Sequence, residues 1–256
     1  MQRQSLANGL CEAATNWHAI PWCTVFRLLK NLRDRIFRAT KEGNLKKVRS
    51  LQKLMLRSYA NLVASIRRVT QINDGRHTPG ADGVIVSTAK ERSLLAEELR
   101  GQLYWKPKPA RRIYIPKANG KQRPLGIPVV KDRCLQTIIV NALEPEWEAR
   151  FELNSYGFRP GRGCHDAMEK IFGYAYGNAT RRWVIDADIK GAFDNISHQF
   201  IMKAIGNFPS KFLIYQWLKA GYMEKVYSIQ QKQAHLRAAV AHPCCVILLY
   251  MACSKP

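Results

Sequence analysis

Three carboxylates fall within nine residues of the stretch VIDADIKGAFDNISH (Val184 to His198): Asp186, Asp188 and Asp194. The stretch opens on apolar residues that suit a strand, from Arg181 to Asp188, and closes on Ser197, which suits the start of a helix. A strand that delivers an aspartate to a turn is a common way to hold Mg2+. That hard cation takes oxygen ligands, keeps some of its waters and draws the rest from phosphates. Two such ions would activate an attacking oxygen and stabilise a leaving pyrophosphate in nucleotidyl transfer. Spacing alone does not decide for that chemistry, because a DxD pair also caps turns or sits on surfaces.

The charge of the chain points the same way. Its 256 residues carry 41 Lys and Arg against 19 Asp and Glu, a net charge of +22. Such a surplus calls for a polyanionic partner, and the clustering of the cations favours nucleic acid over a merely solvated face. A hydrophobic content of 46% excludes general disorder and fits one large domain or two modest ones. The opening MQRQSLANGLCEAA has no long apolar core of a signal peptide. The longest apolar run, CCVILLYMAC (Cys244 to Cys253), falls short of the roughly 18 residues of a membrane span. No membrane association is expected. Seven cysteines without a CxxC pair give no zinc spacing and fit free thiols in a reducing cytoplasm.

The elements that must position the chemistry begin with two basic helices. Residues 1–70 hold 14 Lys and Arg and only three acids, Glu12, Asp34 and Glu42. Val25, Leu28, Leu29, Leu32 and Ile36 follow a helical stripe, with Arg27, Lys30, Arg33 and Arg38 largely off it. Gly43 stops that helix and Asn44 caps the next, which is expected to run to about Thr70. Val48, Leu51, Met55, Leu62, Ile66 and Val69 form its apolar side; Lys46, Lys47, Arg49, Lys53, Arg57, Arg67 and Arg68 occupy its other sides. The stripes bury against neighbours and leave cations for RNA phosphates. A solvated helix pair would alternate charge signs, and acids are nearly absent here.

After a loop at Asn73 to Val84 and a weak helix over Ser87 to Gly101 comes KPKPARRIYIPKANGKQRPLGIP (Lys106 to Pro128), with seven cations and no acid. Arg111 to Ile115 alternates like a strand, Asn119-Gly120 signals a tight hairpin, and Lys121 to Ile127 supplies the return strand. That geometry gathers Lys117, Lys121 and Arg123 near one tip. A helix over 131–151 is expected to break or restart at Pro145. NSYGFRPGRGCHDAM (Asn154 to Met168) leads by a Gly-rich loop into another helix; Ser197 caps a short helix to Ile205 and Pro209 opens one to Ala220.

Four of these segments also stand in a recognisable order: TPGADG (Thr78 to Gly83), RRIYIPKANGKQRPLGIPVVKDRCLQ (Arg111 to Gln136), SYGFRPGRGCHDA (Ser155 to Ala167) and DADIKGAFDNISH (Asp186 to His198). From about Trp17 to Lys225 the chain resembles the N-terminal part of group II intron reverse transcriptases, the intron-encoded maturases. The resemblance implies an α+β right-hand polymerase: a basic helical extension (1–77), then fingers and a partial palm (78–225). It implies that Asp188 is the first catalytic aspartate and a metal ligand, and that Ile189 offers its carbonyl to Mg2+. Lys190, Gly191 and Ala192 would face the incoming dNTP, Phe193 would exclude a ribose 2′-hydroxyl, and Lys117 and Arg123 would hold the triphosphate. The implied partners are group II intron RNA, an RNA template and a DNA primer. For Asp186 a surface position or local hydrogen bonding is expected, and Asp194 is expected to cap the turn or helix start.

The family's YADD hairpin, which brings two further aspartates, and its QGG segment do not occur in the sequence. The final 31 residues, 226–256, hold no acid and three of the seven cysteines, and they read as a shifted frame or a truncated copy, with a divergent C-terminus as the alternative. Three functions follow as expectations: part of an RNA-directed DNA polymerase without activity of its own, a non-catalytic RNA-binding module, or an unstable relic.

Overall fold

The computed structural model describes residues 16–100, 105–116, 120, 122–157, 159–176, 183, 185–187, 196–224 and 227–229. Helix α1 (Trp22–Lys41) buries Val25, Leu29, Leu32, Ile36 and Ala39. Leu28, placed on that stripe by its spacing, is instead exposed. Gly43 takes φ +70 past the helix end, and the Asn44 side chain accepts from the Lys47 N–H at 3.0 Å to start α2 (Leu45–Arg57).

The single long helix expected to reach Thr70 divides at Ser58, whose backbone turns extended, and resumes as α3 (Tyr59–Arg67) with a π-helical extension over Arg68–Ile72. The break changes which faces are covered. Every residue from Ala60 to Ile66 is buried, so α3 is a core helix rather than an amphipathic one. Asn61 makes the join, because its Nδ2 donates to the Met55 carbonyl at 3.0 Å and to the Ile138 carbonyl at 3.1 Å.

Helix α5 (Val130–Glu148) packs against α1, α2 and α3 and is buried round most of its circumference. It continues through Pro145, contrary to the expected break. The proline forgoes its own N–H bond, but the helix runs only three residues beyond it, and the Ala149 N–H donates to its carbonyl. Ile36, Met55, Ile66, Leu135 and Ile139 are almost wholly enclosed, each contributing about 1.5–3 kcal/mol of burial. Helix α4 (Ala89–Leu99) covers α3 and starts with a capping box between Thr88 and Glu91.

The sheet has the strand order β2-β1-β3-β4. Strands β1 (Ala110–Pro116) and β2 (Gln122–Ile127) form the expected antiparallel hairpin, with Arg111 opposite Ile127 and Pro116 opposite Gln122. Strand β3 (Tyr222–Glu224) adds parallel to β1, and β4 (Tyr227–Ile229) pairs back on β3. Strand β4 falls on the first residues of the tail expected over 226–256. The mixed helix and sheet composition is the expected α+β class.

Three further helices are α6 (Cys164–Ala175), α7 (His198–Ile205) and α8 (Lys211–Lys219). Ser197 caps α7 through the Phe200 N–H, as expected. Helix α6 has no buried residue; Met168, Ile171 and Phe172 are exposed. The strand expected over Arg181 to Asp188 falls largely outside the described residues. Its described members, Trp183 and Ile185 to Ala187, form no strand, and Trp183 is 94% exposed.

Candidate nucleic-acid interface

The cations expected at the N-terminus lie on α1, α2, the end of α3 and its π-helical extension, elements that share a core with α5. Of the nine cations expected to meet RNA, Arg27, Lys30, Lys46, Lys47, Lys53 and Arg68 are exposed. Lys47 also reaches Glu42 at 3.2 Å, an exposed pair worth little. The other three are engaged inside the fold. Arg33 pairs with Glu144 of α5, Arg49 donates to Glu146 at 2.8 Å, and the Arg67 guanidinium lies 4.3 Å over the Trp22 ring. Six of the nine expected positions are thus exposed.

The second basic surface is the β1–β2 hairpin. Arg123 is exposed on β2 opposite Ile115, and Gly120 takes φ +74, a left-handed turn position that suits glycine. Lys117 lies outside the described residues, as do Asp188, Ile189, Lys190, Gly191, Ala192, Phe193 and Asp194. Asp186 is described and exposed.

Below the hairpin lies a group of buried polar side chains that the apolar stripe of α5 does not announce. Asp132, 1% exposed, accepts at Oδ1 from Trp105 Nε1 and Trp217 Nε1, both at 2.9 Å, and at Oδ2 from the Lys108 N–H at 3.2 Å. Arg133, also buried, donates to the carbonyls of Gly75 at 3.0 Å and Thr78 at 2.7 Å. It thereby pins the TPGADG loop, whose Gly80 rests on the backbone of Pro128 and Val129. Farther along, Arg159 pairs with Glu148 and donates to the Glu152 and Ser155 carbonyls. This arginine holds the SYGFRPGRG loop onto α5. The sequence signal for two of these anchors is a charged pair, Asp132-Arg133, that precedes the apolar run of α5. The buried Cys134 thiol is pushed up to about 12 by its surroundings and is not a nucleophile near neutrality.

Burial pushes the Asp132 carboxyl above the usual carboxylate range. The bonds from Trp217, Lys108 and Trp105 oppose the rise, and Asp82 adds to it. The folded chain thus holds this proton more tightly than the unfolded chain does. The contribution of Asp132 to stability is greatest below the ordinary carboxylate range and is lost as pH rises through the raised folded value. Urea unfolding of wild type and Asp132→Asn over that window should show the wild-type margin shrinking with rising pH, then levelling. A margin that grows with pH would contradict the assigned direction.

Comparison with known proteins places the chain. A model of the N-terminal domain of reverse transcriptase matches residues 17–99, and one of reverse transcriptase (RNA-dependent DNA polymerase) matches residues 115–241. Protein YkfC of Escherichia coli is 42% identical over 173 residues, covering 63% of this chain and 45% of that protein. The group II intron-encoded protein LtrA of Lactococcus lactis is 40% identical over 162 residues, 59% of this chain and 26% of that protein. Maturase-like protein 1 of Euglena gracilis is 28% identical over 189 residues, 72% of this chain and 41% of that protein. The chain thus spans less than half the length of these relatives. Among the described residues no helix is long and apolar enough to cross a membrane. With both domain models matched in order, and with group II intron-encoded proteins and maturases as relatives, the chain belongs to the reverse transcriptase family.

Proposed function

We propose that this polypeptide is part of a group II intron-encoded RNA-directed DNA polymerase and binds structured intron RNA in the cytoplasm. The observation that carries the proposal is the exposed cation set Arg27, Lys30, Lys46, Lys47, Lys53 and Arg68 on helices fixed to a common core. Structured RNA offers phosphates and shape more than readable duplex edges, and a basic helical surface suits that. Within the complete family machinery, Arg123 and Lys117 would hold a dNTP triphosphate, and Phe193 would gate its sugar beside Lys190, Gly191 and Ala192. Reverse transcriptases use divalent metal. Here the Mg2+ donors would be Asp188 and the Ile189 carbonyl, with an RNA template and DNA primer alongside. One carboxylate and one carbonyl do not complete a two-ion site, so no catalytic step is assigned to this polypeptide.

Six phosphate contacts predict a slope of about −5 in log affinity against log salt for a largely duplex RNA, or a loss of roughly three orders of magnitude between about 50 and 200 mM salt. Filter binding of a folded intron RNA at graded salt measures it. A flat profile, or no binding at low salt, would remove the RNA-binding reading. The exposed apolar side chains of α6 favour a second reading, an unstable relic. A cooperative thermal unfolding transition would count against that reading.

A further inference from the structure

We propose that Asp132 is a positioning residue that sets the register of β1 against β3, and so fixes where the basic hairpin stands. The functional consequence rests on the reading of that hairpin as a phosphate grip. A buried carboxylate is costly, and among the described residues Asp132 has no ion-pair partner to offset the cost. Its three donors instead tie together two distant parts of the chain. Trp105 and Lys108 lead into β1, and Trp217 leads from α8 into β3.

The spacing is matched on the two sides. Trp105 stands five residues before Ala110, and Trp217 stands five residues before Tyr222. Ala110 and Tyr222 are the first aligned pair of the parallel ladder, and the Ala110 N–H donates to the Gly221 carbonyl at 3.1 Å. Both indoles meet on one oxygen, so the two chain segments enter the ladder in step.

The ladder needs such a pin. Only Ala110↔Tyr222 and Arg111↔Met223 are aligned, and no tight turn joins strands so far apart in sequence. A slip of one residue would exchange the faces of β3. In the observed register the Arg112 guanidinium lies 3.5 Å over the Tyr222 ring and the Tyr114 hydroxyl meets Glu224. A slip of one residue would break both contacts and offer Met223 to Arg112 or to Tyr114 according to its direction. Strand β1 continues into the turn that carries Arg123 on its return strand, so its register against β3 determines the position of that cation.

The test uses the intact 256-residue protein, labelled with 15N and read by amide exchange and by the indole N–H signals. Trp→Phe variants at 105 and 217 assign those signals. Asp132→Leu removes every acceptor. It should shift both indole signals together and cut protection of the Ala110 amide by roughly tenfold or more, with α1 to α3 keeping theirs. Asp132→Asn keeps one oxygen for the two indoles but turns an NH2 toward the Lys108 N–H. It should hold the indole signals near wild type while loosening Ala110 by a smaller factor. If Asp132→Leu does not fold, Asp132→Asn decides alone. Unchanged Ala110 protection, or equal loss across α1 to α3, would overturn the proposal. RNA affinity measured on the same samples reports the N-terminal cations separately, so failure of the pin and failure of RNA binding give different results.

Discussion

Glu146→Ala should destabilise the helical body by about 2–3 kcal/mol, seen in urea as a lower midpoint with an unchanged slope. The Glu146 carboxylate is 2% exposed and accepts from Arg49 at 2.8 Å, from Gln52 Nε2 at 2.6 Å, and from Arg150. Gln52 has no exposure at all, and it also donates to the Ala142 carbonyl at 3.3 Å. Truncation of Glu146 therefore leaves the buried Gln52 Nε2 one acceptor short and two arginines without their carboxylate. The cost stays below that of a fully enclosed ion pair, because the Arg49 and Arg150 side chains keep 23% and 39% exposure. Arg49→Ala should destabilise in the same way and couple with Glu146→Ala in a double-mutant cycle, while the salt slope of RNA binding hardly changes. A loss under about 0.5 kcal/mol for Glu146→Ala would mean that the network behaves as an exposed pair.

Gly80→Ala should cost a similar amount, about 2–3 kcal/mol, and should free the TPGADG loop from the head of α5. An added Cβ would stand 2.5 Å from Val129 Cα, 2.7 Å from Val129 N and 2.9 Å from the Pro128 carbonyl oxygen. These are backbone atoms, so no side-chain rotation relieves the clash. Arg133 holds the same loop from its other end, which limits how far the loop can retreat. Gly83 is the control. It has φ +71 with open space around it, so Gly83→Ala pays only the left-handed backbone penalty of roughly 1 kcal/mol. Thermal unfolding of the two variants should place Gly80→Ala well below Gly83→Ala. Equal stabilities would show that the loop does not press on the α5 entry.

The parts of this fold governed by near neighbours could be read from the chain. Asn44 and Ser197 cap the helices they precede, and Asn119-Gly120 marks the hairpin whose strands pair around it. The bend at Ser58 was hidden because no glycine or proline marks it; the Asn61 side chain that bridges the two helices also reaches Ile138, far along the chain. Pro145 misled for a related reason, since its place in a last turn matters more than its identity. Charge was legible in sum but not in assignment. Arg33, Arg49 and Arg67 look like surface cations in sequence, and only Glu144, Glu146 and Trp22 in space show otherwise. Asp132 is the same problem in reverse: its partners Trp105 and Trp217 lie 112 residues apart, a separation that periodicity does not register.

We propose that these 256 residues grip RNA through the exposed cations of the helical body, and that Asp188 is the one carboxylate among them placed to serve nucleotidyl transfer. Primer extension on an RNA template, with Mg2+ and all four dNTPs, tests this when run on the purified 256-residue protein at a low-salt concentration where RNA binding is saturated. The expected result is a bound template with no extended primer. Extension that depends on Asp188 would contradict the account.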